Sequence, residues 1–164
     1  VPTLTEELKL HARTLGFTHA GVAEAEALPA DGQRLRSWLE RGYHAGMTWM
    51  ERAPERRSDP RLVLPGARSV IVVAINYYTP DRHESADGTG KISRYAWGDD
   101  YHDIVGDRLA SLERWIAHRV PASRSLTYVD TGPIMEKSWA QRAGVGWIGK
   151  NANVITHDRG SWVF

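Results

Sequence analysis

Leu4, Leu8 and Leu15 recur at helical spacing with Ala12 between them; Thr3 and Glu6 stand in capping-box relation, and Gly16 follows as a stop. This pattern predicts a first helix over residues 3–15. Residues 17–23 then read as a short strand, and Leu35, Trp38 and Leu39 mark one face of a second helix that stops at Gly42. A helical turn is expected over residues 47–52. Six consecutive apolar residues from Val70 to Ile75, mostly β-branched, predict a strand over residues 69–77 that is buried on both faces at the centre of a sheet.

Residues 91–97 predict another strand, after which Asp99 or Asp100 caps a long helix with a buried stripe of Val105, Leu109, Leu112 and Ile116. Residues 125–129 alternate as a strand, residues 131–133 carry a helix-start signal with proline in the first turn, and Gly144 closes that helix. Two more strands are expected at residues 153–156 and 161–164, around a turn at 158–160. Between the periodic segments, residues 51–61 carry Arg52, Arg56, Arg57 and Arg61 among prolines, which reads as a solvated connection or as a phosphate-contacting strip. Residues 79–90, rich in Asp, Gly and Ser, read as a flexible loop able to close over a ligand. Helices interspersed with short strands, and no repeat or compositional break, predict one α+β domain over residues 1–164 with a mixed, largely antiparallel sheet covered by helices.

Composition narrows the chemistry. Lys and Arg total 21 against 20 Asp and Glu, so no long-range field for nucleic acid exists, although a local basic strip remains possible. The complete absence of cysteine excludes disulfides, thiolate nucleophiles and thiolate-held iron–sulfur clusters within these residues. No apolar run approaches the ~20 residues of a membrane span, and no signal-peptide pattern opens the chain, so a cytoplasmic protein with no membrane partner is expected. Seven tryptophans suit either core packing or a pocket for a flat ligand.

Two short motifs fail on context. Gly144-Val145-Gly146-Trp147-Ile148-Gly149 matches a dinucleotide fingerprint, and Lys150 extends it towards a phosphate loop, but the segment leaves a helix for a strand and Asn151 stands where a magnesium-binding hydroxyl belongs. Its glycines instead let the backbone pass close to a bulky ligand or to another element. Asp100-Tyr101-His102-Asp103-Ile104-Val105-Gly106 misses by one residue the D-x-H-x-x-G spacing of corrinoid proteins that place histidine on cobalt, and it equally suits an acidic helix start. No histidine spacing points to a protein-held metal, and none is expected.

Four segments in order carry a resemblance: Gly46-Met47 with Trp49-Met50, Arg94-Tyr95-Ala96-Trp97-Gly98 with Asp100-Tyr101-His102, Val129-Asp130-Thr131-Gly132-Pro133, and Arg142-Ala143-Gly144 through Gly146-Trp147-Ile148-Gly149-Lys150-Asn151. With Gly160-Ser161-Trp162 they span nearly the whole sequence, which resembles the N-terminal, cobalamin-binding part of the epoxyqueuosine reductases. The resemblance implies a nitroreductase-like three-layer arrangement and the removal of the epoxide oxygen of epoxyqueuosine in a tRNA anticodon stem-loop. It further implies cobalamin as cofactor, an external electron donor, and two 4Fe-4S clusters in a following section that these residues lack. Val1 is not an initiator methionine, and the expectation is a portion of a longer protein that is inactive without the clusters.

By position in its motif, Asp130 resembles the family's general acid, although Asp before Thr-Gly-Pro also suits a helix cap. An acid working near neutral pH needs burial or a neighbouring carboxylate. Tyr101 and His102 resemble residues near corrin and substrate. Gly146, Trp147, Gly149, Lys150 and Asn151 resemble residues at the cofactor's polar edge, with core packing for Trp147 and plain surface for Lys150 as alternatives. Arg56, Arg57 and Tyr95 are weaker candidates for gripping the stem-loop. A non-catalytic cobalamin or tRNA-binding module and a flavin-binding reductase stand as competing functions.

Overall fold

A computed structural model describes residues 1–82 and 88–164. The first helix, α1 (Leu4–Thr14), begins with the capping box expected of Thr3 and Glu6. Strand β1 (His19–Glu24) follows, then α2 (Pro29–Glu40), a 3-10 turn at Thr48–Glu51, α3 (Pro54–Ser58), a second 3-10 turn at Pro60–Leu62, and strand β2 (Ser69–Ala74). A 3-10 turn at Arg94–Ala96 leads into the long helix α4 (Tyr101–Arg119), followed by α5 (Glu136–Arg142) and a small hairpin of β3 (Trp147–Ile148) and β4 (Val154–Ile155).

β1 and β2 pair antiparallel, from His19 opposite Ala74 to Glu24 opposite Ser69. Because side chains alternate along a strand, this register divides the ladder between two helical layers. Ala20, Val22, Ile71 and Val73 face α1 and α4, packing on Leu8, Ala12, Phe17, Val105 and Leu112. On the other face Ala23, Val70 and Val72 meet Leu28 and the fully buried Trp139 of α5, while Ala74 meets Ala140 and Val145. The unbroken apolar run of β2 is thus explained by a helix layer on each side, giving three layers.

Several expectations are corrected. β2 is not the centre of a broad mixed sheet: the described residues form two separate two-stranded ladders, both antiparallel. Only Ala74 of β2 is fully buried, because the strand's second edge is open along most of its length. Residues 125–129 form no ladder, and in place of a strand at 91–97 there is a 3-10 turn at Arg94–Ala96, closed by the Trp97 indole donating to the Ile92 carbonyl at 2.8 Å. The supposed connection at 51–61 is largely helical. The helix announced at residue 131 begins only at Glu136, since residues 131–135 are spent crossing from one layer to the other: Val129 packs with the α1/α4 core and Ile134 with Trp139. The loop expected at 79–90 includes residues 83–87, which lie outside the described residues.

β1 and α5 approach closely at Gly21, where an added Cβ would stand 2.3 Å from the Ala143 carbonyl oxygen. Neither backbone can withdraw without unpairing the ladder. Gly21→Ala is therefore expected to destabilise the fold by about 1–3 kcal/mol, read as a lower urea midpoint. An unchanged midpoint would show that β1 and α5 are not in this contact.

Candidate active site

α4 starts where Asp100 accepts the His102 amide at 2.9 Å, and the same carboxylate meets His102 Nδ1 at 2.7 Å. Those bonds hold the Asp100 carboxyl below its ordinary range, the backbone bond contributing most. The cap fixes the first turn and with it Tyr101. The Tyr101 ring stacks between His102 and Phe164, each 4.1 Å away between centroids, and Tyr95 stands edge-on at 6.4 Å. The column continues through Tyr77 and Trp162 to Arg94, whose guanidinium lies 5.2–5.4 Å from the rings of Tyr78, Trp162 and Trp97. Together these rings form a partly exposed aromatic wall.

Asp130 sits at the end of that wall. Its carboxylate accepts the Tyr101 hydroxyl and lies 3.7 Å from His102 Nε2. Its backbone N–H donates to Glu136 Oε1 at 3.0 Å, and its φ of 58° places it in the left-handed region. Burial, then the bond to Asp130, push the Tyr101 hydroxyl well above its usual range, so it remains a donor at neutral pH. Burial, reinforced by the Asp130 charge, pushes the Glu136 carboxyl up as well, against the opposing pull of the Asp130 amide. A second carboxylate, that of Glu136, thus stands beside Asp130.

Tyr95, Tyr101, Asp130 and Glu136 all line a cleft of about 600 Å³ between β2 and α4. Its floor is the open edge of β2. Pairing on that edge begins only past the strand, where Ile75 and Phe164 exchange backbone hydrogen bonds of 3.3 and 2.9 Å and the Tyr77 amide donates to Trp162 at 3.1 Å.

Val145 of the glycine-flanked loop and Asn153 and Val154 of the hairpin also line this cleft, while the rest of the loop lies beside α5. Lys137 Nζ donates to the Ala152 carbonyl at 2.8 Å and Gln141 accepts the Ile148 amide at 3.1 Å, holding the hairpin to the helix that carries Glu136. Trp147 is exposed and packs on His157, Lys150 is exposed, and Asn151 accepts the Asn153 amide within its own turn. At Gly146 an added Cβ would stand 2.3 Å from the Ile155 carbonyl, and at Gly149 2.5 Å from Ile155 Cδ1, so both glycines serve close packing of the hairpin. Arg57 is tied to residues 131–135 through its backbone, its carbonyl accepting the Met135 amide at 3.2 Å, and Arg56 is an exposed residue of α3. Among the described residues no group of three or more His, Asp or Glu gathers as a metal site, and no helix is long and apolar enough to cross a membrane.

Sequence reasoning missed Glu136. Its signal was a carboxylate six residues beyond Asp130 and across Pro133, which local rules count only as a favourable charge in a helix's first turn. Phe164 was expected as a strand residue and instead also closes the ring stack on Tyr101.

A mixed α/β scaffold with an aspartate held by tyrosine at the end of an aromatic wall is similar, in sequence and in structure, to known proteins. The family model for epoxyqueuosine reductase QueG, DUF1730, matches residues 57–131. The epoxyqueuosine reductase of Synechocystis sp. is 52% identical over 145 residues, 88% of this chain and 49% of the relative. A solved epoxyqueuosine reductase in complex with an epoxyqueuosine-modified tRNA-Tyr stem loop superposes with a TM-score of 0.86 at 32% identity, over 98% of this chain and 43% of that one. The Bacillus subtilis enzyme, solved with its catalytic aspartate loop swung out of the active site, gives 0.86 at 30% identity, over 98% and 43%. The chain is a homologue of the epoxyqueuosine reductases, and it spans about half the length of the curated relatives it matches.

The raised Glu136 carboxyl has a stability consequence with a definite sign. A carboxyl whose folded value lies above its unfolded value of 4.5 favours the folded state below pH 4.5, and that advantage is lost as pH climbs through the raised value. Glu136→Gln removes the titration. Its stability relative to the parent chain should therefore improve between pH 4 and pH 7 in urea denaturation, whereas a pH-independent difference would contradict the raised value.

Proposed function

We propose that this chain forms the catalytic, cobalamin-binding part of an epoxyqueuosine reductase, acting on epoxyqueuosine in a tRNA anticodon stem-loop, with Asp130 as the general acid. The observation that carries the reading is the Tyr101–Asp130–Glu136 constellation at the mouth of the cleft. Opening an epoxide leaves an alkoxide unless a proton reaches the oxygen as its bond to carbon breaks. The Asp130 carboxyl suits that proton transfer in its placement, because one of its oxygens is committed to Tyr101 and the other is left to face a substrate. Its side chain is half exposed, so a base splayed out of a loop can reach it.

The residues suit the cofactor in kind. The stacked rings of His102, Tyr101 and Phe164 offer a flat apolar surface, and Lys150 and Asn151, on the hairpin pinned to α5, offer polar groups for an amide-rich rim. Tyr101 and His102 would hold the broad face, and Gly146, Trp147, Gly149, Lys150 and Asn151 its edge. Cobalamin, when bound, supplies reducing electrons through its cobalt. His102 is committed to Asp100 and Asp130, which suits a cofactor held without a protein histidine on the metal. With no cysteine here, the expected pair of 4Fe-4S clusters belongs to the remainder of a full-length protein, as does contact with the external electron donor. The isolated chain is then expected to bind cofactor without turnover.

The Bacillus subtilis structure is described by a catalytic loop swung out of its active site. We read residues 129–135 as the counterpart of that loop. Tyr95 on the wall and Arg56 and Arg57 on α3 are assigned to bases and phosphates of the stem-loop.

Asp130→Asn in a full-length, cluster-bearing protein of this sequence should retain the visible absorbance of bound cobalamin and lose epoxide reduction by about 100-fold or more. Full turnover rejects the acid role, and capture of FMN in place of hydroxocobalamin rejects the cofactor. Arg56→Ala should weaken stem-loop binding and flatten its dependence on log salt by about 0.7–0.9, read by fluorescence anisotropy. An unchanged slope removes Arg56 from the phosphate contacts.

A further inference from the structure

Asp130 occupies a conformation that its sequence does not favour. With φ at 58° it stands in the left-handed region, at a cost of roughly 1–3 kcal/mol for a residue with a side chain. The turn around it is tight: the Thr131 amide bonds back to the Val129 carbonyl at 2.7 Å, and Gly132 lies so close to Tyr128 that an added Cβ would be 2.4 Å from the ring. Such a turn persists only where its surroundings hold it. Two side chains do so, from opposite layers of the fold. Tyr101, on α4, donates to the Asp130 carboxylate, and Glu136, on α5, accepts the Asp130 amide at 3.0 Å.

These two bonds are not equivalent. The tyrosine grips the side chain, which can rotate about χ1 and let go while the backbone stays. The glutamate grips the backbone itself. Were that acceptor lost, the Asp130 amide would face the partly buried Glu136 site without a partner, and relaxation of φ to negative values would turn the carboxyl away from Tyr101. We propose that Glu136 is a positioning residue that latches the 129–132 turn inward, by accepting the Asp130 amide, so that the Asp130 carboxyl meets Tyr101 and faces the cleft. The proposal rests on reading Asp130 as the acid, because only then does its placement govern a reaction. It also gives the loop movement assigned above a physical release: the turn swings out when the Glu136 bond opens. Glu136 itself is kept in place by its helix, where the neighbouring Lys137 is tied to the Ala152 carbonyl.

Amide hydrogen exchange of the 164-residue chain, followed by NMR, tests the latch without any turnover. Glu136→Ala should speed exchange at Asp130 by about tenfold or more, the factor that a hydrogen bond to a charged acceptor corresponds to, and leave Leu112 in α4 unchanged. Glu136→Gln, whose side-chain oxygen still accepts, should keep Asp130 close to the parent rate. If Glu136→Ala also loosens Leu112, Glu136→Asp, which keeps the charge and shortens the reach, is judged by the same criterion. Unchanged exchange at Asp130 on removing the acceptor, or equal acceleration in Glu136→Gln, overturns the proposal. In the full-length enzyme Glu136→Ala should lower kcat about tenfold with KM little changed, and Glu136→Gln should restore it. Exchange that responds as expected while Asp130→Asn turns over normally would keep the latch and reject the acid, so the two readings fail separately.

Discussion

β2 must present apolar side chains to two helix layers at once, and most of the molecule's geometry follows from that demand. Ile71 and Val73 belong to the layer of α1 and α4, Val70 and Val72 to that of α5. With helices on both faces, any chain leaving α4 for α5 has to pass around an edge of the ladder. Residues 125–135 make that passage, and Asp130 lies at its turning point, reached by Tyr101 from one layer and Glu136 from the other. A carboxyl at a layer crossing is accessible from outside while its partners are anchored in the core.

The electrostatics of the site follow the same division. Asp100 is spent on capping α4 and orienting His102, which keeps it charged and low. Glu136 is half-buried at the start of α5 and close to another carboxyl, which pushes it up. Tyr101, wedged between the rings of His102 and Phe164, has no acceptor as near as Asp130 and stays protonated. Asp100, Glu136 and Tyr101 thus have separate environments and separate bonds: Asp100 caps α4, Glu136 accepts the Asp130 amide and Tyr101 donates to the Asp130 carboxylate.

The aromatic wall and the hairpin are two distinct surfaces with different chemistry. Rings from four chain segments stack into one surface, and the guanidinium of Arg94 closes its far end against Tyr78, Trp97 and Trp162. The hairpin, whose glycines are needed for its own packing, is set beside α5 by Lys137 and Gln141. The family-like residues Trp147, Lys150 and Asn151 are thereby presented on an exposed rim, and the flat surface is left to Tyr95, Tyr101, His102 and Phe164.

Local rules read from the sequence determined what local physics controls: the capping box of α1, the Asp100 cap and apolar stripe of α4, and the two-sided burial implied by the run at β2. They failed where a segment's conformation is set by distant partners. Residues 125–129 alternate like a strand yet find no ladder, residues 91–97 curl to satisfy Trp97 and Arg94, and α5 starts late because its expected first turn is used to round the sheet. Only tertiary structure brought Glu136 under the Asp130 amide and Phe164 onto Tyr101, since hydrogen bonds and ring stacking between layers depend on three-dimensional proximity that periodicity along a chain does not encode.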